Sequence, residues 1–171
     1  MSHLEELDRE RSLSVCVLTI SDTRIPEEDT SGMVIRRKLE EAGHLVAETR
    51  ICRDDPHQIA AALVHWFEND DIDGIITTGG TGISHRDVTI ETVSPFFTKT
   101  LDGFGELFRY VSYTEDVGSK ALLSRATAGT VQNQAVFVLP GSSKAVALAM
   151  EKLILPEIHH IVHELKKHLT E

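Results

Sequence analysis

The sequence has little of what marks secreted, membrane or disulfide-rich proteins. It has only two cysteines and one tryptophan among 171 residues, and no apolar run long enough to span a bilayer. Cys16 and Cys52 lie far apart in strand-like runs, which predicts buried free thiols in a reducing compartment rather than a disulfide or a zinc site. The charged N-terminus also lacks the apolar core of a secretory signal. We therefore expect a cytoplasmic protein that does not enter a membrane.

Positive charge is also scarce. The chain has 17 Lys and Arg against 27 Asp and Glu, for a formal net charge of −10. An acidic chain without basic clusters is a poor candidate for binding nucleic acid or an anionic membrane surface. An anionic ligand would therefore have to be held by local devices, such as backbone N–H groups, single Arg or Lys side chains, or a bound cation.

Several motifs of common enzyme classes are absent. Neither G-x-G-x-x-G nor G-x-x-x-x-G-K-[ST] occurs, which argues against a dinucleotide dehydrogenase and a P-loop NTPase. G-x-S-x-G is missing too, which weakens a serine hydrolase interpretation. His159 and His163 are one helical turn apart, but no third ligand is close in sequence, so a zinc site is disfavoured.

Strand-like and helix-like segments alternate along the chain and predict an α/β domain. The first three strand-like runs are at residues 12–21, 44–52 and 73–78. Amphipathic helix patterns separate them. Two further strand-like runs flank Gln132 and Asn133, which indicates a β-hairpin, a strand with a β-bulge being the alternative. This order indicates a mostly parallel sheet with helices on both faces. We expect a flexible segment at residues 1–13 and a single domain at residues 14–168.

The predicted turns at one edge of this sheet are where a ligand is expected. In open parallel sheets, ligands bind beyond the carboxyl ends of the strands. The turns that arrive there follow Ser21 and Cys52 and include Gly79 and Gly141.

The glycine-rich turn is the most suggestive of them. Gly79, Gly80, Thr81 and Gly82 follow a buried strand and precede a helix, so their N–H groups can approach a phosphate or another oxyanion. A tight turn without any ligand is the alternative.

The residues after this turn favour an anion site. Thr81 and Ser84 can donate hydrogen bonds, and Arg86 can pair with a phosphate. Asp87 could hold Mg²⁺, although taken alone it is more readily a helix N-cap.

Two other turns add candidate residues. Asp54 and Asp55 follow the second strand, and one of them could share Mg²⁺ with Asp87, the alternatives being a helix cap or solvated acids. Gly141 and Ser142 open the last helix, where Lys144 in the first turn would be unfavourable unless an anion binds nearby.

Six segments occur along the chain in this order: SDTR, DTSG, TGGTGISHRDVT, GFGELFR, SRATAG and LPGS. Together they resemble the MoaB/Mog family of molybdenum cofactor biosynthesis proteins, whose molybdopterin-binding domain also occurs in gephyrin and plant molybdenum-insertion proteins. The resemblance extends from about Ser14 to Glu164.

The resemblance implies a three-layer α/β/α fold and a homotrimer, or a hexamer made of two trimers. It implies binding of molybdopterin and, for active members, its adenylylation by ATP with Mg²⁺. The products would be adenylyl-molybdopterin, passed to a molybdenum insertase, and pyrophosphate. Asp54 and Asp87 match the family's catalytic acidic pair and would be the Mg²⁺ ligands. The residues Gly79 to Gly82 match its phosphate-binding loop. Other matches to the pterin and nucleotide site are Ser21, Asp22, Ser124 and Ser142.

Two functions other than adenylyl transfer remain open at this point. The chain could carry molybdopterin to the insertase without chemistry, or it could be a generic nucleotide-binding or structural subunit.

Overall fold

A six-stranded sheet carries the fold, in the order β2-β1-β3-β6-β5-β4. The computed structural model describes residues 11–170. The strands are β1 (Ser14–Ile20), β2 (Leu45–Cys52), β3 (Gly74–Thr78), β4 (Lys99–Thr100), β5 (Thr127–Val131) and β6 (Gln134–Leu139). The α-helices are α1 (Thr30–Glu41), α2 (Pro56–Phe67), α3 (Thr89–Val93), α4 (Asp102–Glu115), α5 (Ser143–Ala149) and α6 (Leu155–Lys166).

The pairing confirms a mostly parallel α/β fold. β1, β2, β3 and β6 run parallel, so their carboxyl ends share one edge, and β5 and β4 add antiparallel pairs. The predicted hairpin joins β5 to β6, with Gln132 at a φ of 53°. The short β4 was not predicted from the sequence, because two residues carry no period-2 pattern.

Apolar residues line both faces of the sheet and make the fold three-layered. Leu18 and Ile75 face α2 and α3, where Trp66 is buried. Val17 and Ile76 belong to the cluster on the opposite face, which α1, α4, α5 and α6 cover. Adjacent residues of one strand therefore belong to different cores, as side-chain alternation requires.

Both cysteines are free, as predicted. Burial raises the pKa of Cys16 to about 12 and that of Cys52 to about 11, with nearby carboxylates adding to the effect. Both thiols are therefore protonated at neutral pH and are poor nucleophiles.

Side chains define how the helices begin. The Asp29 carboxylate accepts from the Gly32 N–H at 3.0 Å and caps α1, and Asp55 caps α2 by accepting from His57. α5 passes through a π-helical segment, Met150–Ile154, into α6, where Pro156 lies in the first turn.

Asp73 holds the amino end of the sheet together. It is 2% exposed, accepts from the Ser14 N–H at 2.8 Å, and pairs with Arg11 and Lys166. Leu13 is buried as well. Residues 1–10 of the segment predicted to be flexible are outside the described residues.

Within residues 11–170, no helix combines the length and the apolar character that a membrane span requires.

Alanine substitutions at two glycines test the packing of Phe97 against β5. Gly129 lies in that strand, and Gly103 lies outside it as the comparison. A Cβ at Gly103 would contact nothing within 4 Å, whereas one at Gly129 would lie 2.4 Å from the Phe97 ring. Gly103→Ala, in the first turn of α4, should raise the free energy of unfolding by up to about 1 kcal/mol. Gly129→Ala should lower it by about 1–3 kcal/mol through overpacking. Urea denaturation monitored by circular dichroism measures both, and equal stabilities would contradict the contact between Phe97 and β5.

Candidate active site

The loop after β3 has every carbonyl oxygen bonded and most of its N–H groups open. The Thr89 hydroxyl donates to the Gly79 carbonyl at 2.9 Å, and the Thr89 N–H donates to the Gly80 carbonyl at 3.0 Å. Arg125 donates to the carbonyls of Thr81, at 3.1 Å, and Gly82, at 2.6 Å. Gly79 donates its own N–H to Leu139, but among the described residues no protein acceptor is bonded to the N–H groups of the next three residues.

Glycine at positions 79 and 80 lets other elements come close to this loop. A Cβ at Gly79, where φ is 102°, would lie 2.2 Å from the Ile20 carbonyl oxygen. One at Gly80, where φ is 70°, would lie 2.2 Å from the Thr89 hydroxyl and 2.9 Å from an Asp54 oxygen. The predicted need for bare backbone therefore has a steric cause as well as a conformational one.

Two acidic residues contact the loop, and a third lies near one of them. A Cβ at Gly82 would lie 2.5 Å from the Asp87 carboxylate, just as Asp54 contacts Gly80. Burial raises the pKa of Asp54, and the nearby charges of Asp22 and Asp87 raise it further. The structure thus brings the two predicted acids, Asp54 and Asp87, to one loop. The charge of the Asp54 carboxylate is not fully compensated there.

Asp87 is not the N-cap of α3, which begins two residues later. Its carboxylate instead accepts from the Ser84 hydroxyl at 2.7 Å and from the Ser84 N–H at 3.1 Å. The helix-cap alternative for Asp87 is therefore wrong, because the turn is closed by an aspartate-to-serine bond upstream of the helix.

Arg86 is engaged by Asp22. Its guanidinium donates to both Asp22 oxygens at 2.9–3.0 Å, and this hydrogen bonding lowers the pKa of Asp22. Asp22 also accepts from the Asp54 N–H at 3.1 Å. Ser21 accepts from the N–H groups of Thr23 and Arg24 and so closes its own turn. Three turns of the sheet edge are thus linked through one carboxylate.

The carboxylates suit Mg²⁺ better than a transition metal. Hard oxygen donors are available from Asp54 and Asp87, and the repulsion around Asp54 would be relieved by a cation. In residues 11–170 no group of three or more His, Cys, Asp or Glu is arranged to hold a metal ion. Mg²⁺ commonly needs only one or two carboxylates when water and substrate phosphates complete its shell.

A groove of about 360 Å³ extends from the loop towards α4. Part of its lining is the loop backbone and Asp87. Another part is apolar, from Phe108, Val117 and Leu123, with Asp116 and Lys120 among them. This division suits a ligand with an anionic part and a flat, largely apolar part.

Ser124 and Ser142 both line this groove. The Ser124 hydroxyl is buried and has no hydrogen-bond partner among the described residues, so a ligand atom could satisfy it. Ser142 accepts from the Ala145 N–H at 3.4 Å and acts as the cap of α5. Gly141 accepts from Arg24 through its carbonyl group.

Lys144 does not need an anion to explain its position. It pairs with Asp116 at 3.0 Å, and the Asp116 side chain is only 8% exposed. The sequence-based hypothesis that Lys144 signals a bound anion is therefore unsupported, because the Asp116 carboxylate already offsets the unfavourable lysine charge at the start of the helix.

Sequence reasoning missed three residues at or behind the groove: Asp116, Lys120 and Arg125. Asp116 and Lys120 lie just after α4, and no local sequence pattern sets them apart. Arg125 could have been identified from the sequence, because it directly follows Ser124 in the SRATAG segment.

The chain is similar to known molybdopterin-related proteins over almost its whole length. A family model described as "Probable molybdopterin binding domain" matches residues 16–160. Molybdenum cofactor biosynthesis protein B of Staphylococcus aureus (strain COL) is 50% identical over 169 residues, covering 98% of this chain and 100% of the relative.

Solved structures agree with this similarity. A crystal structure of a molybdenum cofactor biosynthesis protein B has a TM-score of 0.89 at 50% identity, covering 92% of this chain and 98% of that one. The tungsten cofactor synthesizing protein MoaB from Pyrococcus furiosus has a TM-score of 0.81 at 40% identity, covering 91% and 98%.

The raised pKa of Asp54 predicts that Asp54→Asn is more stable than the wild type at neutral pH. Above its folded-state pKa the carboxylate is charged and repelled, so a neutral amide removes an unfavourable interaction from the folded state. Below the unfolded-state pKa both side chains are neutral, and the difference should disappear. Thermal melts with chelator across this pH range measure it, with the exposed Asp70→Asn as control. A less stable variant at neutral pH would contradict the repulsion.

Gly82→Ala should separate anion binding from folding. Its Cβ would displace the Asp87 carboxylate, but the backbone at this position does not need a positive φ. We expect the Kd for inorganic pyrophosphate to rise about tenfold while the melting temperature changes little. Calorimetric titration of this variant and of Gly103→Ala makes the comparison, and equal affinities would show that the loop does not bind the anion.

Proposed function

The chain belongs to the molybdopterin-binding domain family, and from that membership we propose that it transfers AMP from ATP to molybdopterin. Its role in molybdenum cofactor biosynthesis follows from the family; adenylyl transfer is the specific activity that we propose. The observation that carries this proposal is the loop of open N–H groups beside Asp54 and Asp87, at the mouth of a groove with apolar walls.

In the proposed reaction, the terminal phosphate of molybdopterin attacks the α-phosphorus of ATP. A new phosphoanhydride bond forms, and the bond to the β-phosphate breaks, so that pyrophosphate leaves with the electron pair. The protein supplies no covalent chemistry in this step. Positioning and charge neutralisation account for catalysis, as in phosphoryl transfer generally.

The chain's own residues have separate tasks in this reaction. The amide N–H groups of Gly80, Thr81 and Gly82 donate to phosphate oxygens. They point away from the protein because the carbonyl group of each preceding residue is already held by Thr89 or Arg125. Asp54 and Asp87 would hold Mg²⁺, which when bound neutralises charge on the phosphates. Phe108 and Leu123 would cover the heterocycle and exclude water from it.

The assembly and the partner are also proposals. Leu107, Tyr110, Tyr113 and Leu122 are each more than half exposed on α4 and the segment after it. Apolar side chains on that face support contact between copies, as in the expected trimer or dimer of trimers. A molybdenum insertase would then take the adenylylated product.

Label transfer from ATP tests the proposed activity. Purified protein is incubated with molybdopterin, Mg²⁺ and ATP labelled at the α-phosphate, and the pterin is examined for label. Asp54→Asn and Asp87→Asn should each lower kcat by about 100-fold or more, because they remove charge from the phosphate site. The loop variant Asp70→Asn, at the opposite edge of the sheet, should retain full activity.

The alternative outcomes identify other functions. Tight molybdopterin binding without label transfer or pyrophosphate release would replace the enzyme with a carrier. ATP binding with no dependence on pterin would indicate a generic nucleotide-binding subunit.

A further inference from the structure

Arg125 forms several hydrogen bonds to the glycine loop, residues Gly79 to Gly82. Its Nε donates to the carbonyls of Thr81 and Gly82, both at 3.1 Å, and one terminal nitrogen donates to Gly82 at 2.6 Å. The other terminal nitrogen pairs with Glu91 of α3 at 2.5 Å. This hydrogen bond is the main reason that the pKa of Glu91 is lowered.

The Arg125 side chain does not line the candidate groove. Gly80, Thr81 and Gly82 line that groove, whereas Arg125 lines a neighbouring hollow with Arg109 and Leu122. Arg125 is therefore connected to the groove through the loop backbone that it bonds.

Peptide planarity converts these bonds into a direction for the N–H groups. In a trans peptide, the C=O of one residue and the N–H of the next point in opposite directions. Fixing the Thr81 carbonyl towards Arg125 turns the Gly82 N–H away from it, and fixing the Gly82 carbonyl does the same for Ile83. Thr89 fixes the two preceding carbonyls in the same way.

We propose that Arg125 is a positioning residue for AMP transfer, which orients the amides of Gly82 and Ile83 towards the phosphates without touching substrate. This inference rests on the proposed function for its effect on catalysis, but not for its effect on the loop. Glu91 completes this arrangement, because its ion pair holds the planar Arg125 guanidinium in the orientation that reaches the carbonyls of both Thr81 and Gly82.

Arg125→Lys is the most informative variant, since it keeps the positive charge and removes the planar guanidinium group. A lysine ammonium cannot serve both carbonyls and Glu91 with the same geometry. We expect kcat to fall about 100-fold, as for a small misplacement of a reacting group, and the Kd for ATP with Mg²⁺ to rise about tenfold. The Kd for molybdopterin alone should change much less. Arg37→Lys, on the exposed face of α1, is the matched control and should behave as wild type.

A merely structural role predicts a different result. It would lower the melting temperature of Arg125→Lys while kcat and the Kd for ATP of the folded protein stayed at wild-type values, and that outcome would overturn the proposal. Added guanidinium ion should restore part of the activity of Arg125→Ala, and none to Asp87→Asn.

A ligand-free measurement keeps this test separate from the proposed function. The amide resonances of Gly82 and Ile83 should shift in Arg125→Lys and remain in place in Arg37→Lys, whether or not the wild type transfers AMP. Unchanged resonances would overturn the positioning role. Shifted resonances in a protein that transfers no label would mean that adenylyl transfer fails and the positioning of the loop stands.

Discussion

The four consecutive carbonyl oxygens of Gly79 to Gly82 are all bonded by the protein, and the rest of the site depends on this. Thr89 and Arg125 provide the donors, one from α3 and one from the segment before β5. Because each carbonyl is held, the alternating N–H groups are left for a ligand. The glycines let Ile20, Thr89 and the acids come close enough for this arrangement to form.

The same edge explains how a chain with a net charge of −10 could bind anionic substrates. Its attraction is local: open N–H groups and a cation drawn by Asp54 and Asp87 in place of basic side chains. Arg86, which could have paired with a phosphate, is held by Asp22, and Asp22 in turn accepts from the Asp54 backbone. Burial, with the nearby charges of Asp22 and Asp87, raises the pKa of Asp54, so the protein does not fully compensate this carboxylate.

The strands and helices of the structure agree with those expected from the sequence where the sequence pattern is long. The four parallel strands and the hairpin at Gln132 were predicted, because apolar runs and turn residues are local signals. Lys99 and Thr100 pair as β4 without any such signal, and Asp87 bonds Ser84 where a helix cap was a reasonable alternative. Lys144 gave a misleading signal, because its partner Asp116 is far away in the sequence.

The sequence by itself determined the fold class, the edge of the sheet where a ligand is expected, and the glycines and acids that stand there. These follow from periodicity and from the residue types at the strand ends, which neighbouring residues set. Only the tertiary structure decided which groups compensate one another: Arg86 with Asp22, Lys144 with Asp116, and Arg125 with the loop carbonyls. The partners are 28 to 64 residues apart in the chain, and no local pattern can specify contacts that arise only when separate helices and strands pack together.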